Sequence, residues 1–237
     1  MEPGTFNLYS FFNSSSAYRV RIAMGLKGLQ WRHVGVDLRA GEQYAPGYRE
    51  LNPTRLVPVL RHGEQIVTQS LAIIDYLDQV QPEPLLVPSA PPLRTRVMEI
   101  ALSIACDLHP LNNMRVQKYL AGSLQLTEKQ KRAWVSHWLT TGFDALEQWL
   151  PDRDGWCVGG TPTLADCCVV PQVANALRLS YDLSPYPRLR RLYDHCQRHE
   201  AFQAAAPSVQ PDYVAAELNG ISEQRICPQQ RSTSHVR

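Results

Sequence analysis

Residues 5–37, TFNLYSFFNSSSAYRVRIAMGLKGLQWRHVGVD, decide the fold. Thr5–Ser10 and Trp31–Asp37 read as short strands, and between them Val20, Ala23, Met24 and Lys27 recur at helical spacing. Strand, helix and strand in this order make a βαβ unit, whose crossover implies a parallel pair. Downstream, Val57–Arg61 and Gln65–Thr68 flank His62-Gly63-Glu64, which reads as a hairpin turn. Ser70 then caps a helix whose Ile73, Leu77 and Val80 form one apolar stripe. A βαβ unit followed by ββα is the thioredoxin-like order.

The start of the first helix, Ser14-Ser15-Ser16, is chemically unusual. A helix N-terminus carries partial positive charge and free N–H groups, so an acid is expected in its first turn. Here the turn holds hydroxyls, followed by Arg19 and Arg21. Two readings stand: a plain serine N-cap, or a site for an external phosphate, carboxylate or thiolate. Gln69-Ser70 opens another helix, with no acid before Asp75. Val57-Pro58 ahead of the third strand is open between an ordinary edge-strand proline and a special turn.

Gln81 to Pro92 holds Pro82, Pro84, Pro88, Pro91 and Pro92, the composition of a semi-rigid linker. Beyond it only helical patterns appear, over about 93–121, 128–150, 163–180 and 186–206, with Pro110 and Pro171 placed to kink or interrupt them. The expected organisation is an α/β thioredoxin-like domain over 1–83, a linker over 84–92, an all-α domain over 93–212, and a flexible tail over 213–237. Thr163-Leu164-Ala165-Asp166 is a capping box in form, with a structural role expected. Trp134, Trp138 and Trp149 read as core or interface.

The run LYSFFNSSSAYRVRIAMGLKGL at 8–29 resembles the start of zeta-class glutathione transferases, the family that includes maleylacetoacetate isomerases. The resemblance continues, in order, through LNPTRLVPVL, QSLAIIDYL, HPLNN, GGTPTLADCCVVPQVANALR and DLSPYPRL, to about Asp212. It implies the glutathione transferase fold and glutathione as a cofactor that is regenerated. The implied activity is cis–trans isomerisation of maleylacetoacetate in aromatic amino-acid catabolism. Alternatives are isomerisation of maleylpyruvate, transfer to α-halo acids, or a non-catalytic binding protein on the same fold.

By the same resemblance, Ser14 and Ser15 are the catalytic residues, donating to the glutathione sulfur to favour thiolate. Ser16, Gln43, Val57, Pro58, Gln69, Ser70, His109 and Asn113 join them in holding glutathione, with Pro58 in the cis form and Ser70 on the γ-glutamyl carboxylate. His109 is given no acid–base role. Arg115 and Arg178 are the implied substrate-carboxylate ligands. Ser16 departs from the cysteine of many members, and Asn13 from the arginine common there.

The 237 residues, 44% hydrophobic and 19% charged, suit a globular chain with a real core. A net charge of +2 excludes a nucleic-acid surface as the default partner. No apolar run approaches the roughly 20 residues of a membrane span, and no leader is evident, so a cytoplasmic location is expected. The six cysteines form no C-x-x-C pair and read as reduced thiols. No motif requires a metal, and a homodimer is expected around a small dicarboxylate substrate.

Overall fold

The computed structural model describes residues 4–214. Strands β1 (Phe6–Ser10), β2 (Trp31–Gly35), β3 (Val59–His62) and β4 (Gln65–Thr68) form one sheet in the order β2-β1-β3-β4. β1 runs parallel to β2, while β3 is antiparallel to both β1 and β4. The strand ends differ from the sequence expectation by up to two residues. The hairpin pairs His62 with Gln65 across Gly63-Glu64, and Gly63 takes the positive φ of 59° that the tight turn needs.

Successive residues of a strand point to opposite faces, and both faces are used here. Leu8 and Leu60, paired across β1 and β3, point to α1 (Ser15–Leu26) and α3 (Ser70–Val80) in the main core. The next pair, Tyr9 and Val59, packs with Phe11, Phe12, Val36, Val57 and Tyr48 of α2 (Pro46–Leu51). α1 is buried from Ala17 to Met24 because sheet, α3 and the second half of the chain enclose it.

The main core continues without interruption into the helical half, formed by α4 (Pro91–Leu102), α5 (His109–Asn112), α6 (Met114–Gly122), α7 (Glu128–Trp149), α8 (Leu164–Arg178), α9 (Pro187–Cys196) and α10 (Glu200–Ala204). The proline-rich connection is knitted into place. Asp78 accepts from the backbone N–H groups of Leu86 and Val87 and pairs at 2.6 Å with Lys27, whose Nζ also donates to the carbonyls of Gln81 and Pro84.

The helical stretch expected over 93–121, with Pro110 placed to kink or interrupt it, is divided into three helices. After α4 the chain takes a π-helical turn, Ser103–Leu108, before Pro110. Proline lacks an N–H and crowds the carbonyl four residues back, and a wider turn relieves both. The turn sits tightly on α7: a Cβ at Gly142 would lie 2.7 Å from Leu108 Cδ2. Pro171, by contrast, does not interrupt α8, which runs continuously through it, because burial along most of that helix overrides local preference. The tail expected from 213 begins with the Tyr213 ring edge-on to Phe12; residues 215–237 lie outside the described residues.

Candidate active site

The serine turn sits at the C-terminal end of β1. Ser14 is the N-cap of α1: its backbone is extended and its Oγ accepts from Ala17 N at 3.2 Å. With that lone pair engaged, the hydroxyl hydrogen is available to an acceptor outside the helix. Ser15 and Ser16 form the first turn, which contains no acid. Ser16 Oγ lies 3.2 Å from His109 Nε2, so the residue that ends the π-helical turn meets the serine turn. Burial, then the charges of Arg19 and Arg115, depress the His109 pKa to about 3, and the imidazole is neutral at pH 7.

The neighbouring wall comes from β3 and α3. Tyr48 Oη and Asn52 Nδ2 both donate to the Leu56 carbonyl, bracing the loop that presents Val57, and the Val57–Pro58 peptide is cis. One detail differs from the sequence reading. Gln69, not Ser70, is the N-cap of α3, and Ser70 is its first helical residue. Gln69 takes a φ of 69° and ψ of 120°, a strained conformation for a residue with a Cβ, of the kind that concentrates at functional sites. The first turn of α3 is also free of acid. Gln43 is buried in the short 3-10 turn Glu42–Tyr44, and its Oε1 has no partner.

The helical half contributes the other rim. Asn113 caps α6 by accepting from Val116 N at 3.1 Å, and Arg115 is exposed in the next turn, near enough to act on His109. At the end of α8, Arg178 donates to Asn175 Oδ1 at 2.7 Å. Its pKa is lowered by desolvation first and then by Arg39.

Arg39 was not singled out in the sequence. It stands on the loop after β2 with its guanidinium 5.7 Å from the Phe11 ring and 5.3 Å from the Phe12 ring, the two residues before Asn13. Asp212 was missed as well: its carboxylate accepts from Phe12 N at 2.8 Å and lies 2.9 Å from His33 Nε2. It clips the chain leading into the serine turn from 200 residues away. No local pattern announces either contact. The Thr163–Asp166 motif is structural, as expected: Asp166 is buried and accepts from Thr163 N, Thr163 Oγ1 and Cys157 N. Trp134 donates to the Leu111 carbonyl and packs on Trp138, beside the core.

Two family descriptions match the chain: glutathione S-transferase, N-terminal domain, over residues 8–85, and glutathione S-transferase, C-terminal domain, over 132–195. A probable maleylacetoacetate isomerase of Vibrio cholerae is 44% identical over 208 residues, spanning 86% of this chain and 97% of that protein. Among solved structures, a maleyl pyruvate isomerase described as a bacterial zeta-class glutathione S-transferase superposes with a TM-score of 0.85 at 41% identity, covering 88% of this chain and all of that one. A maleylacetoacetate isomerase from Anaeromyxobacter dehalogenans, described with glutathione bound in its active site, gives 0.79 at 38% identity, over 90% of this chain and 99% of that one.

Proposed function

The chain belongs to the glutathione S-transferase family, in its zeta class, and from that premise we propose that it is a glutathione-dependent maleylacetoacetate isomerase. The observation that carries this reading is a buried and under-bonded arginine, Arg19 of α1, hydrogen-bonded to Ser70 at the start of α3, where the first turns of both helices are free of acid. Such a place attracts an anionic ligand with polar groups along its length.

The residues present fit glutathione. Arg19 keeps two buried nitrogens without partners, and Gln43 keeps a buried acceptor oxygen without one. Val57 presents its backbone beside the cis-proline, Gln69 and Ser70 receive the γ-glutamyl carboxylate, and Ser14 and Ser15 face the sulfur. Ser16, His109, Asn113 and Gln43 complete the cradle. When bound, glutathione would supply a thiolate whose reversible addition to the alkene leaves a carbon–carbon single bond that can rotate until elimination restores the double bond and the thiolate. The chain's share is to stabilise the thiolate, orient the diacid and shield the site. Ser14 donates outward because its lone pair is occupied by Ala17 N. Neutral His109 holds Ser16 without competing for a proton.

Arg178, oriented by Asn175, takes one substrate carboxylate, and Arg115 of α6 takes the other. Arg39 reinforces Arg178 and replaces the cation that Asn13 lacks. We read the assembly as a homodimer: Ile66 on edge strand β4 and Leu93 and Leu102 on α4 are exposed apolar side chains. Sedimentation at micromolar concentration should give about twice the chain mass of 26.8 kDa, and a monomer contradicts the dimer.

The test of substrate compares kcat/KM for maleylacetoacetate and maleylpyruvate, in the wild type and in Arg178→Ala. The longer diacid should be preferred, and Arg178→Ala should raise KM more than it lowers kcat, with a loss of about 1.5–3 kcal/mol in binding. A tenfold preference for maleylpyruvate assigns the enzyme to that substrate instead. Failure of immobilised glutathione to retain the protein favours a non-catalytic relative.

A further inference from the structure

Two arginines of α1 are buried, and only one of them is satisfied. Arg21, fully buried, donates to Ser10 Oγ at 3.0 Å, to the Phe12 carbonyl at 3.0 Å and to the Ala205 carbonyl at 2.9 Å. It braces the turn between β1 and α1. Arg19 is 2% exposed, yet its one hydrogen bond among the described residues runs from Nη1 to Ser70 Oγ at 3.2 Å, and its Nε and Nη2 have no partner. No described carboxylate pairs with it. Its nearest electrostatic neighbours are thiols, Cys168 foremost. Burial pushes Cys168 up to about 11, so it stays protonated and supplies no counter-charge.

A buried cation without a counter-ion is unfavourable unless the opposite charge arrives from outside. The position of Arg19 shows where that charge would come from. Ser16 and Arg19 are three residues apart and share one face of α1, and Ser16 meets His109. On its other side Arg19 meets Ser70, the first residue of α3. The guanidinium is therefore bonded to the hydroxyl assigned to the ligand's γ-glutamyl carboxylate and shares a helix face with the serine turn assigned to the thiolate of its central cysteine.

We propose that Arg19 is a positioning residue that supplies the buried counter-charge for bound glutathione and sets the direction of the Ser70 hydroxyl. Because Nη1 donates into the Ser70 oxygen, the Ser70 O–H is turned outward as a donor to the incoming carboxylate. The same charge favours thiolate over thiol at the serine turn, adding to the helix dipole. Arg19 touches neither reacting carbon; it acts through Ser70 and through its field. The inference rests on the glutathione reading above and assigns that site a charge the sequence motifs did not.

The test uses the full-length chain and the variants Arg19→Met and Arg19→Lys. Glutathione affinity is read by calorimetry, the thiol pKa of bound glutathione by thiolate absorbance against pH, and Tm with and without glutathione. Arg19→Met should bind glutathione about tenfold more weakly and raise the bound thiol pKa by about one unit, the same factor in thiolate population. Arg19→Lys should recover most of both. Without glutathione, Arg19→Met should melt no lower than wild type, since an unpaired buried charge has been removed, and its glutathione-induced rise in Tm should shrink. An Arg19→Met chain that fails to fold, or one that melts lower yet binds glutathione with unchanged affinity and thiol pKa, makes Arg19 part of the scaffold and overturns the proposal. Absence of glutathione binding by the wild type is a separate result, which removes the cofactor and the proposal together.

Discussion

At the scale of single residues, the role proposed for the serine turn builds on the cap that the structure shows. Ser14 is a helix cap, and capping is what frees its hydrogen for an outside acceptor. Replacing Ser14 and Ser15 together by alanine should therefore cost about 1 kcal/mol of stability through the lost cap. It should cost a further ten- to a hundredfold in turnover, from a charge-assisted bond of about 1.5–3 kcal/mol. Steady-state rates and urea midpoints separate the two effects, and near wild-type turnover would remove both serines from the chemistry. His109 makes a different prediction. Its folded pKa, about 3, lies below the ordinary 6.5, so the unfolded chain takes up the proton first as pH falls. The stabilisation it provides is complete above pH 6.5 and is lost progressively between 6.5 and 3. By pH 5 the wild type should lose on the order of 1–2 kcal/mol that His109→Gln does not lose. Equal acid sensitivity in urea titrations of the two proteins would contradict this placement of the imidazole.

At the scale of elements, α1 is the hinge of the account, because burial on all sides turns its two arginines into a brace and an unmatched charge. The strand–helix–strand run at 5–37 was legible in the sequence because its periodicities are local, and so was the hairpin, fixed by Gly63. The acid-free starts of α1 and α3 were legible for the same reason. Arg39, Asp212 and the isolation of Arg19 were not, since each depends on what the folded chain brings alongside. The π-helical turn before Pro110 was half legible: proline announced a break, and packing against Gly142 of α7 goes with its form. Asp166 marks the opposite case, a motif that looks chemical and is structural. With three donors held by a buried carboxylate, Asp166→Ala should destabilise the fold by about 3 kcal/mol while leaving KM for glutathione unchanged in whatever protein remains folded. A selective rise in that KM would place Asp166 in the cofactor site instead.

At the scale of the whole molecule, the division of labour follows the continuous core. The sheet half supplies two helix starts and the cis-proline loop, and the helical half supplies Arg115, Arg178 and the histidine that steadies the serine turn. Asp212 and the Tyr213 ring bring the end of the described chain back onto Phe12, so the two halves meet at the residues leading into the serine turn. On the proposed reading, this arrangement uses glutathione as a recycled nucleophile on a cis diacid. The most direct measurement supplies maleylacetoacetate in large excess over glutathione and follows the trans product and total glutathione together. Many product molecules per glutathione are expected, with no enzyme-dependent product without it and an unchanged glutathione pool at the end. Turnover in the absence of glutathione, or its consumption one for one with substrate, would contradict it.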